Sequence, residues 1–228
     1  MRRFLHYPLP DAGELLLGDT ASHHLLHVAK LPRGSTLALF DGHGREVTAE
    51  LMDVEDGRAK VRLQGVVVAA RPAHAVHLVL AVLKGDAMAH ALRMATEAGV
   101  THVWPVVSER TIAKGDRGER WQRILRSAAQ QCGRADLPEL HAVRPLAEQL
   151  MNLPPGLARF VAAPGGGAPS SIDGAAAVAV GPEGGWTDAE LTRLRDQGWA
   201  SLTLGRWVLR ADTAVAVAVH TLTQQAGP

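Results

Sequence analysis

The sequence contains little cysteine and little net charge. Cys132 is the only cysteine among 228 residues, so the chain can form no internal disulfide and offers no paired cysteines for a structural zinc site. The 24 lysines and arginines face 23 aspartates and glutamates, which leaves a formal net charge of +1. That charge is too small to indicate nucleic-acid binding by bulk electrostatics. We expect a protein of a reducing cytosol whose contacts with any polyanion come from local basic patches.

Long apolar runs are also missing. The longest of them, such as residues 175–180, fall far short of the roughly 20 residues that span a bilayer. The first twenty residues include Asp11, Glu14 and Asp19, and their longest apolar stretch is residues 15–17. They therefore do not have the composition of a secretory signal. We expect a soluble, cytoplasmic protein without a membrane partner.

The first third of the chain predicts a small β-barrel or sheet. Hydrophobic residues make up 46% of the sequence and charged residues 21%, which is typical of a folded globular protein and excludes a disordered or collagen-like chain. The β-rich segments 35–40, 46–51 and 58–63 are separated by turn residues, and residues 22–29 have the pattern of a short helix. A break at Pro72 ends this first domain, which we place at residues 1–72.

The second domain, residues 73–228, alternates strands and helices. The predicted strands are residues 76–83, 101–107, 157–162, 175–180 and 200–204, and the predicted helices are residues 86–98, 116–132 and 188–197. This alternation predicts an α/β fold with a parallel sheet. Residues 213–219 alternate alanine and valine, which also fits a strand, but Asp212 as a cap and the helix propensity of alanine favour a helix through Gln225.

Two loops of the second domain are candidates for a binding site. In the first loop, Gly181, Gly184 and Gly185 follow a predicted buried strand, and Thr187 with Glu190 forms a capping box that starts the next helix. Glycines at such a junction let the backbone approach a ligand closely and expose N–H and C=O groups to it. A tight turn without a ligand is the alternative interpretation.

The second loop, residues 204–214, again follows a predicted strand and precedes a helix. Both loops would then lie at the carboxyl ends of strands, where open α/β sheets bind ligands. Neither loop has the glycine spacing of a dinucleotide-binding fingerprint, and the chain has no Walker-type lysine loop. The pattern therefore disfavours a standard Rossmann or phosphate-loop enzyme.

These loops, together with motifs elsewhere, resemble the RsmE family of the SPOUT superfamily. The matching motifs are residues 2–4, 23–25, 40–42, 96–100, 105, 108–110, 120–121, 131–134, 181–185, 204–205, 209–210 and 212–214. The resemblance therefore runs through nearly the whole chain. The chain departs from the family pattern at Ala29, Lys30, Met94, Ser127, Trp207, Ala211 and Asp212. These departures bear on RNA contacts more than on the two loops.

The resemblance implies an S-adenosylmethionine-dependent methyltransferase that modifies N3 of a uridine in 16S ribosomal RNA, the equivalent of uridine 1498. It implies a deep trefoil knot in the second domain, a PUA-like RNA-binding β-barrel in the first, and a homodimer. By the same resemblance, the cofactor is held by Ala162, Ala163, Val180, Gly181, Pro182, Glu183, Gly184, Gly185, Leu204, Gly205, Val208, Leu209 and Ala214. Two alternatives are a SPOUT enzyme acting on another RNA and an RNA-binding protein without activity.

Two residues are candidates for the chemistry. The cofactor is already an activated methyl donor, but N3 of uridine is a poor nucleophile until it loses its proton. Arg210 is the candidate that stabilises the resulting uracil anion, because a guanidinium stays charged and can bond a carbonyl and a phosphate together. Glu183 is the candidate base; alternatively, its carboxylate bonds N–H groups of the loop.

Basic residues are the candidates for contacts with small-subunit ribosomal RNA, in the assembled 30S particle. They are Arg2, Arg3, Lys30, Arg33, Arg110, Lys114, Arg117, Arg120 and Arg134. Arg123 and Arg126 extend the helical part of this set, for which a merely solvated charged face is the alternative.

Three features that suggest other chemistry are discounted. His23, His24 and His27 lack an accompanying carboxylate motif, so we expect no metal site. Cys132 and Trp121 lie on the apolar face of a predicted helix and are expected in the core. Trp186 and Trp207 adjoin the two loops and could either line a pocket or stack on a base.

Overall fold

The computed structural model describes residues 1–68, 72–112, 117–167, 169 and 171–225. The chain forms two compact units, Met1–Arg71 with Arg126–Leu137, and Pro72–Leu125 with Pro138–Pro228. Residues 126–137, which the sequence analysis placed in the second domain, therefore group with the first unit. Within the described ranges, no helix combines the length and the apolar character needed to cross a membrane.

The smaller unit contains a five-stranded sheet. Its strands are β1 (Arg2–Leu5), β2 (Gly13–Leu16), β3 (Thr36–Phe40), β4 (Arg45–Glu55) and β5 (Arg58–Val68). They lie in the order β1-β3-β4-β5-β2, in which β1 is parallel to β3 and the other pairs are antiparallel. The three β-rich segments of the sequence are confirmed as β3, β4 and β5. The short strands β1 and β2 were missed because four residues carry little periodicity.

Between β2 and β3 the chain forms α1 (Asp19–His23), which continues as a π-helical segment over His24–Val28. The helix expected at residues 22–29 is thus confirmed, but it begins at Asp19 and changes from α-helical to π-helical geometry at His24. The Ser22 hydroxyl donates to the carbonyl of Leu17 and accepts from the N–H of Ala59, each at 3.0 Å. This buried pair of bonds joins the start of the helix to β5.

The larger unit is built on a parallel sheet. Its elements are β6 (Val76–Ala81), α2 (Ala87–Glu97), β7 (His102–Val107), the part of α3 (Gly118–Cys132) before residue 126, β8 (Glu139–Leu140), β9 (Arg144–Pro145), α4 (Leu146–Asn152), β10 (Ala158–Ala162), β11 (Ala176–Val180), α5 (Asp188–Asp196), β12 (Ala200–Leu202) and α6 (Ala211–Gln224). The strand order is β12-β10-β11-β6-β7-β8, and β9 also pairs with β7. All these pairs are parallel, which confirms the predicted α/β fold.

Both faces of this sheet are covered, as expected of a parallel sheet. Every residue of β6 and β11 is buried. One face packs against α2 and α6, and the other face contributes to a second cluster that includes Trp104, Leu194 and Trp199. The helix predicted after residue 212 is confirmed as α6. Its buried residues Val215, Val219 and Leu222 recur at helical spacing, so one side of the helix faces the core.

The helix α3 confirms one core prediction and corrects another. Trp121 is 3% exposed and lies in the core of the larger unit, as expected. Cys132, also expected in the core, is exposed. It is the last residue of the helix, and Gly133 turns the chain there with φ of 89°, so the apolar face ends before it.

Candidate active site

A large cavity lies at the carboxyl ends of the strands in the larger unit. Its volume is about 1010 Å³. Four segments of the chain line it, and they follow β6, β10 and β11 or lead into α6. All the predicted cofactor residues line the cavity except Leu204 and Gly205. Leu204 instead packs against the hydrophobic core.

The glycine loop after β11 is braced from outside the cavity. The Nη1 atom of Arg110 donates to the carbonyl oxygens of Gly184 at 2.7 Å and Trp186 at 3.3 Å. Gly185 has φ of 70°, a conformation that disfavours a side chain, and its N–H donates to the carbonyl of Pro182 at 2.8 Å. The loop is therefore a fixed turn whose carbonyl groups are held by a charged side chain.

The capping box predicted at the start of α5 is present, and it does more than cap. The Glu190 carboxylate accepts from the N–H of Thr187 at 2.9 Å, and Thr187 Oγ1 accepts from the N–H of Glu190 at 3.2 Å. The other oxygen of Glu190 accepts from the N–H of Glu109 at 2.9 Å. Because Glu190 is only 2% exposed, these bonds lock the segment that carries Arg110 to the end of the glycine loop.

Glu183 connects two of the lining segments. Its Oε1 accepts a hydrogen bond from the backbone N–H of Lys84 at 2.9 Å. This bond joins the glycine loop to the segment after β6, so the carboxylate bonds a backbone N–H that lies outside its own loop. Lys84 and Asp86 also line the cavity, although the sequence analysis did not select them. Their place directly after a predicted strand was the available signal.

The segment after β10 is packed tightly against the end of β12. The N–H of Ala163 donates to the carbonyl of Leu202 at 3.2 Å, and the N–H of Gly166 donates to Thr203 Oγ1 at 3.0 Å. A β-carbon at Gly166 would lie 1.8 Å from the carbonyl oxygen of Ser201. Only glycine permits this approach, so the position of the segment depends on that residue.

Arg210 lies at the entrance to α6 and lines the cavity with an exposed side chain. Its Nε lies 3.6 Å from Oδ1 of Asp212, and its own side chain is 83% exposed. Asp212 is buried, accepts from the N–H of Thr213 at 2.9 Å, and has its second oxygen 3.9 Å from Nδ1 of His90. The guanidinium is thus oriented by a buried carboxylate while it stays open to a substrate.

Comparison with known proteins identifies the family. The RNA methyltransferase domain family matches residues 70–223. A ribosomal RNA small subunit methyltransferase E from Synechocystis is 34% identical, over 93% of this chain and 76% of that protein. The protein of the same name from Mycobacterium bovis is 32% identical, over 92% of this chain and 87% of that protein. This chain belongs to the ribosomal RNA small subunit methyltransferase E family.

A solved member of the same family has the same fold. The crystal structure of the methyltransferase E from Neisseria gonorrhoeae, bound to S-adenosyl methionine, superimposes with a TM-score of 0.88 at 29% identity. The match covers 98% of this chain and 97% of that one. The α/β fold predicted for this methyltransferase E family member is therefore confirmed across both sheets.

Several basic residues selected for RNA contacts are exposed in this methyltransferase E family member. Arg2, Lys30 and Arg33 are exposed on the smaller unit, where Arg33 pairs with Asp53. On the larger unit, Arg117 and Arg120 are exposed, and Nη2 of Arg120 lies 3.6 Å from Oδ1 of Asp86. Arg123 and Arg126 are exposed as well. Lys114 lies outside the described residues.

Three other basic residues of this set are engaged within the protein. Arg3 pairs with the buried Glu46 at 2.5 Å, and its side chain is only 16% exposed. Arg134 binds Asp136 through two hydrogen bonds, with 11% of its side chain exposed. Arg110 holds the glycine loop, as described above. The sequence shows that a residue is basic but not whether its side chain already binds a carboxylate or a carbonyl group of the protein. The intramolecular partners of these three arginines were therefore not anticipated.

A smaller cavity of about 230 Å³ shares Lys84 with the large one. Its walls include the apolar side chains of Met88, Ile112 and Trp121. The basic residues Arg117 and Arg120 also line it. It therefore combines an apolar interior with three basic residues, Lys84, Arg117 and Arg120.

The two tryptophans next to the loops have different environments. Trp186 is 7% exposed and forms part of the wall of the large cavity. Trp207 is 75% exposed, and the guanidinium carbon of Arg206 lies 5.3 Å from the centre of its ring. Of the two possibilities left open by the sequence, lining a pocket applies to Trp186, while Trp207 presents its ring to solvent.

Proposed function

We propose that this protein is an S-adenosylmethionine-dependent methyltransferase that modifies N3 of a uridine in 16S ribosomal RNA, the equivalent of uridine 1498. The observation that carries the proposal is the convergence of the predicted cofactor segments on one cavity. Family membership adds the reaction class, and the related Neisseria gonorrhoeae structure is bound to S-adenosyl methionine.

The cavity suits the cofactor in size and in charge. A volume of about 1010 Å³ lies at the upper end of the range for small-molecule pockets, which a nucleoside joined to an amino acid requires. Glu183, Asp86 and Asp212 place carboxylates on its walls, which complements a positively charged sulfonium. A β-carbon at Gly181 would lie 3.2 Å from the indole of Trp186, so the backbone there lines the cavity without a side chain.

When bound, S-adenosylmethionine supplies an activated methyl group, and the protein must orient the acceptor. We assign Arg210 to stabilise the negative charge on the uracil as N3 loses its proton, because its guanidinium is exposed at the cavity and cannot be deprotonated. We keep Glu183 as the candidate proton acceptor. Its bond with the N–H of Lys84 would orient the carboxylate for that role.

We assign RNA binding to the exposed basic residues. Arg117 and Arg120 flank the smaller cavity, whose apolar walls could receive a nucleobase next to the methyl donor. Arg2, Lys30 and Arg33 would bind phosphates from the smaller unit, in an assembled small subunit. Binding of this kind weakens steeply as salt rises.

We further propose the family architecture of a deep trefoil knot in residues 73–228 and a PUA-like barrel in residues 1–72. The strand order supports the knot, because the chain passes from β11 beyond β10 to β12 and then returns as α6 to pack on α2. A knot of this kind would thread the chain through itself, which most folds avoid. The parallel and antiparallel sheet of the smaller unit is compatible with a barrel.

We also propose that the protein acts as a cytoplasmic homodimer. Trp207 and Val208, which precede the cavity-lining residues of α6, are 75% and 94% exposed. Adjacent exposed apolar side chains of this size are typical of an interaction surface. A second copy covering them would also close the cavity from one side.

Two measurements test the function. Calorimetric titration with S-adenosylmethionine should give saturable binding to the wild-type protein; no binding would leave only a silent RNA-binding protein. Methyl transfer to small subunits from a strain that lacks the family enzyme should then place the modification at N3 of one uridine of 16S RNA by mass mapping. A methyl group at another RNA position would favour the alternative SPOUT activity.

A further inference from the structure

The amino ends of three strands carry a row of histidines and a carboxylate. His77 on β6 pairs with His102 on β7, which in turn pairs with Glu139 on β8. Cross-strand partners lie on the same face of a sheet, and so do residues two positions further along each strand. Trp104 and His141 therefore join the same face. These side chains lie at the amino ends of the strands, whereas the large cavity lies at the carboxyl ends.

The side chains of His102, Glu139 and His141 converge. His102 Nδ1 lies 3.4 Å from His141 Nε2 and 3.5 Å from one carboxylate oxygen of Glu139. The second oxygen of Glu139 lies 3.6 Å from His141 Nε2. One ligand atom from each of the three residues can be chosen so that all lie within 4.8 Å of one another.

The 3.4 Å between the two imidazole nitrogens matches an edge of a tetrahedral metal site, and each nitrogen has a different oxygen of Glu139 at 3.5–3.6 Å. Ligands that are 2.0–2.1 Å from a tetrahedral zinc ion are separated by about 3.3–3.4 Å, whereas octahedral coordination at the same bond lengths gives about 2.9 Å. A direct hydrogen bond between the two imidazoles would be strongest near about 2.9–3.0 Å. The observed separation of 3.4 Å is long for that bond and is suited to an ion between the nitrogens.

The two imidazoles are held in place by the aromatic rings next to them. The His141 ring stacks on Trp104 with 3.4 Å between ring centres, and the His102 ring stacks on His77 at 4.2 Å. The indole N–H of Trp104 donates to Nδ1 of His77 at 3.0 Å.

We propose that His102, Glu139 and His141 bind one Zn²⁺ ion, with water as the fourth ligand. Glu139 is the exposed member, with 63% of its side chain exposed, so it can turn one oxygen onto the ion. The ion joins the two-residue strand β8 to β7 and stabilises this edge of the sheet. Its role is structural, because the cluster is separate from the residues that line the cavity.

The test titrates the metal-free full-length protein with ZnCl₂ by calorimetry. We expect one equivalent to bind with a dissociation constant at or below about 1 µM. Loss of a residue that only orients a metal ligand weakens metal affinity by about 10–100-fold. Because Glu139 and His141 are proposed as ligands themselves, Glu139→Ala and His141→Gln should each weaken Zn²⁺ affinity by at least this factor. Zn²⁺ should raise the unfolding temperature of the wild-type protein but not of Glu139→Ala.

The matched control is the double variant His23→Ala, His27→Ala. These rings lie 5.2 Å apart, one helical turn from each other, and form a second histidine pair at a spacing that could bind Zn²⁺. The control variant should bind Zn²⁺ like the wild type. Three outcomes would each overturn the proposal. They are a wild-type dissociation constant above the stated value, Zn²⁺ binding that survives in Glu139→Ala, and Zn²⁺ binding that is lost in the control variant. CoCl₂ provides a further measurement that needs no variant, the spectrum of Co²⁺ bound to the wild-type protein. A six-coordinate spectrum would also overturn the proposal.

Discussion

Arg110 binds the carbonyl oxygen of Gly184 through a 2.7 Å hydrogen bond, in the loop that also carries Gly181 and Gly185. The same nitrogen reaches the carbonyl of Trp186 at 3.3 Å. A residue that sequence reasoning selected for RNA contacts thus shapes the glycine loop. The loop is held by a cation from outside, and this leaves its inner surface to the cavity.

We predict that Arg110→Ala weakens S-adenosylmethionine binding. Hydrogen bonds to charged groups contribute about 1.5–3 kcal/mol each, and their loss would let the loop relax, so we expect the dissociation constant to rise roughly tenfold or more. Calorimetry measures this change. Arg123→Ala, an exposed arginine on α3, is the control and should leave cofactor affinity unchanged. If Arg110→Ala kept its affinity for S-adenosylmethionine but bound RNA more weakly, Arg110 would instead be a residue that contacts RNA.

We predict that Arg210→Ala abolishes turnover and largely spares cofactor binding. The guanidinium is 83% exposed, and we assign it to the acceptor base, so the rate of methyl transfer should fall by at least about a hundredfold. Single-turnover methylation and calorimetry measure the two effects separately. Arg206→Ala, in the preceding exposed loop, should retain turnover. A fully active Arg210→Ala would remove this residue from the mechanism.

We predict that Gly166→Ala destabilises the larger unit. The added β-carbon would lie 1.8 Å from the Ser201 carbonyl oxygen, and overpacking of this kind costs about 1–3 kcal/mol of the free energy of unfolding. Urea denaturation measures the loss. Gly167→Ala is the matched control, because a β-carbon there meets no described atom within 4 Å. Equal stability of the two variants would show that the loop shifts freely.

We predict that the basic residues divide into two classes by their salt dependence. Arg117→Ala and Arg120→Ala should each reduce the slope of log affinity for RNA against log salt by about 1. Arg3→Ala should instead leave the slope unchanged and lower stability by about 3–5 kcal/mol, because it strands the buried carboxylate of Glu46. A reduced slope in Arg3→Ala would mean that this residue reaches phosphate after all.

Sequence reasoning predicted the elements that have long apolar patterns. Residues 76–81 and 176–180 are buried throughout and were recognised as strands, while β8 and β9 have two residues each and show no periodicity. The large cavity was anticipated because the loops of one sheet edge converge wherever parallel strands end. The helix α4 was missed altogether.

What the sequence did not reveal is pairing between distant residues. The partners of Arg3 and Arg110 are set by tertiary contacts, and no local pattern specifies them. The cluster of His102, Glu139 and His141 was missed for the same reason, since it depends on the register between β7 and β8. By contrast, the i,i+4 spacing of His23 and His27 is visible in the sequence.

The exposed position of Cys132 has a practical consequence. It is the only cysteine in the chain, and its thiol is accessible at the end of α3. A maleimide dye can therefore be attached at one defined place without engineering the protein. Fluorescence anisotropy of that dye would follow RNA binding by the native sequence, and every variant named above could be compared on the same label.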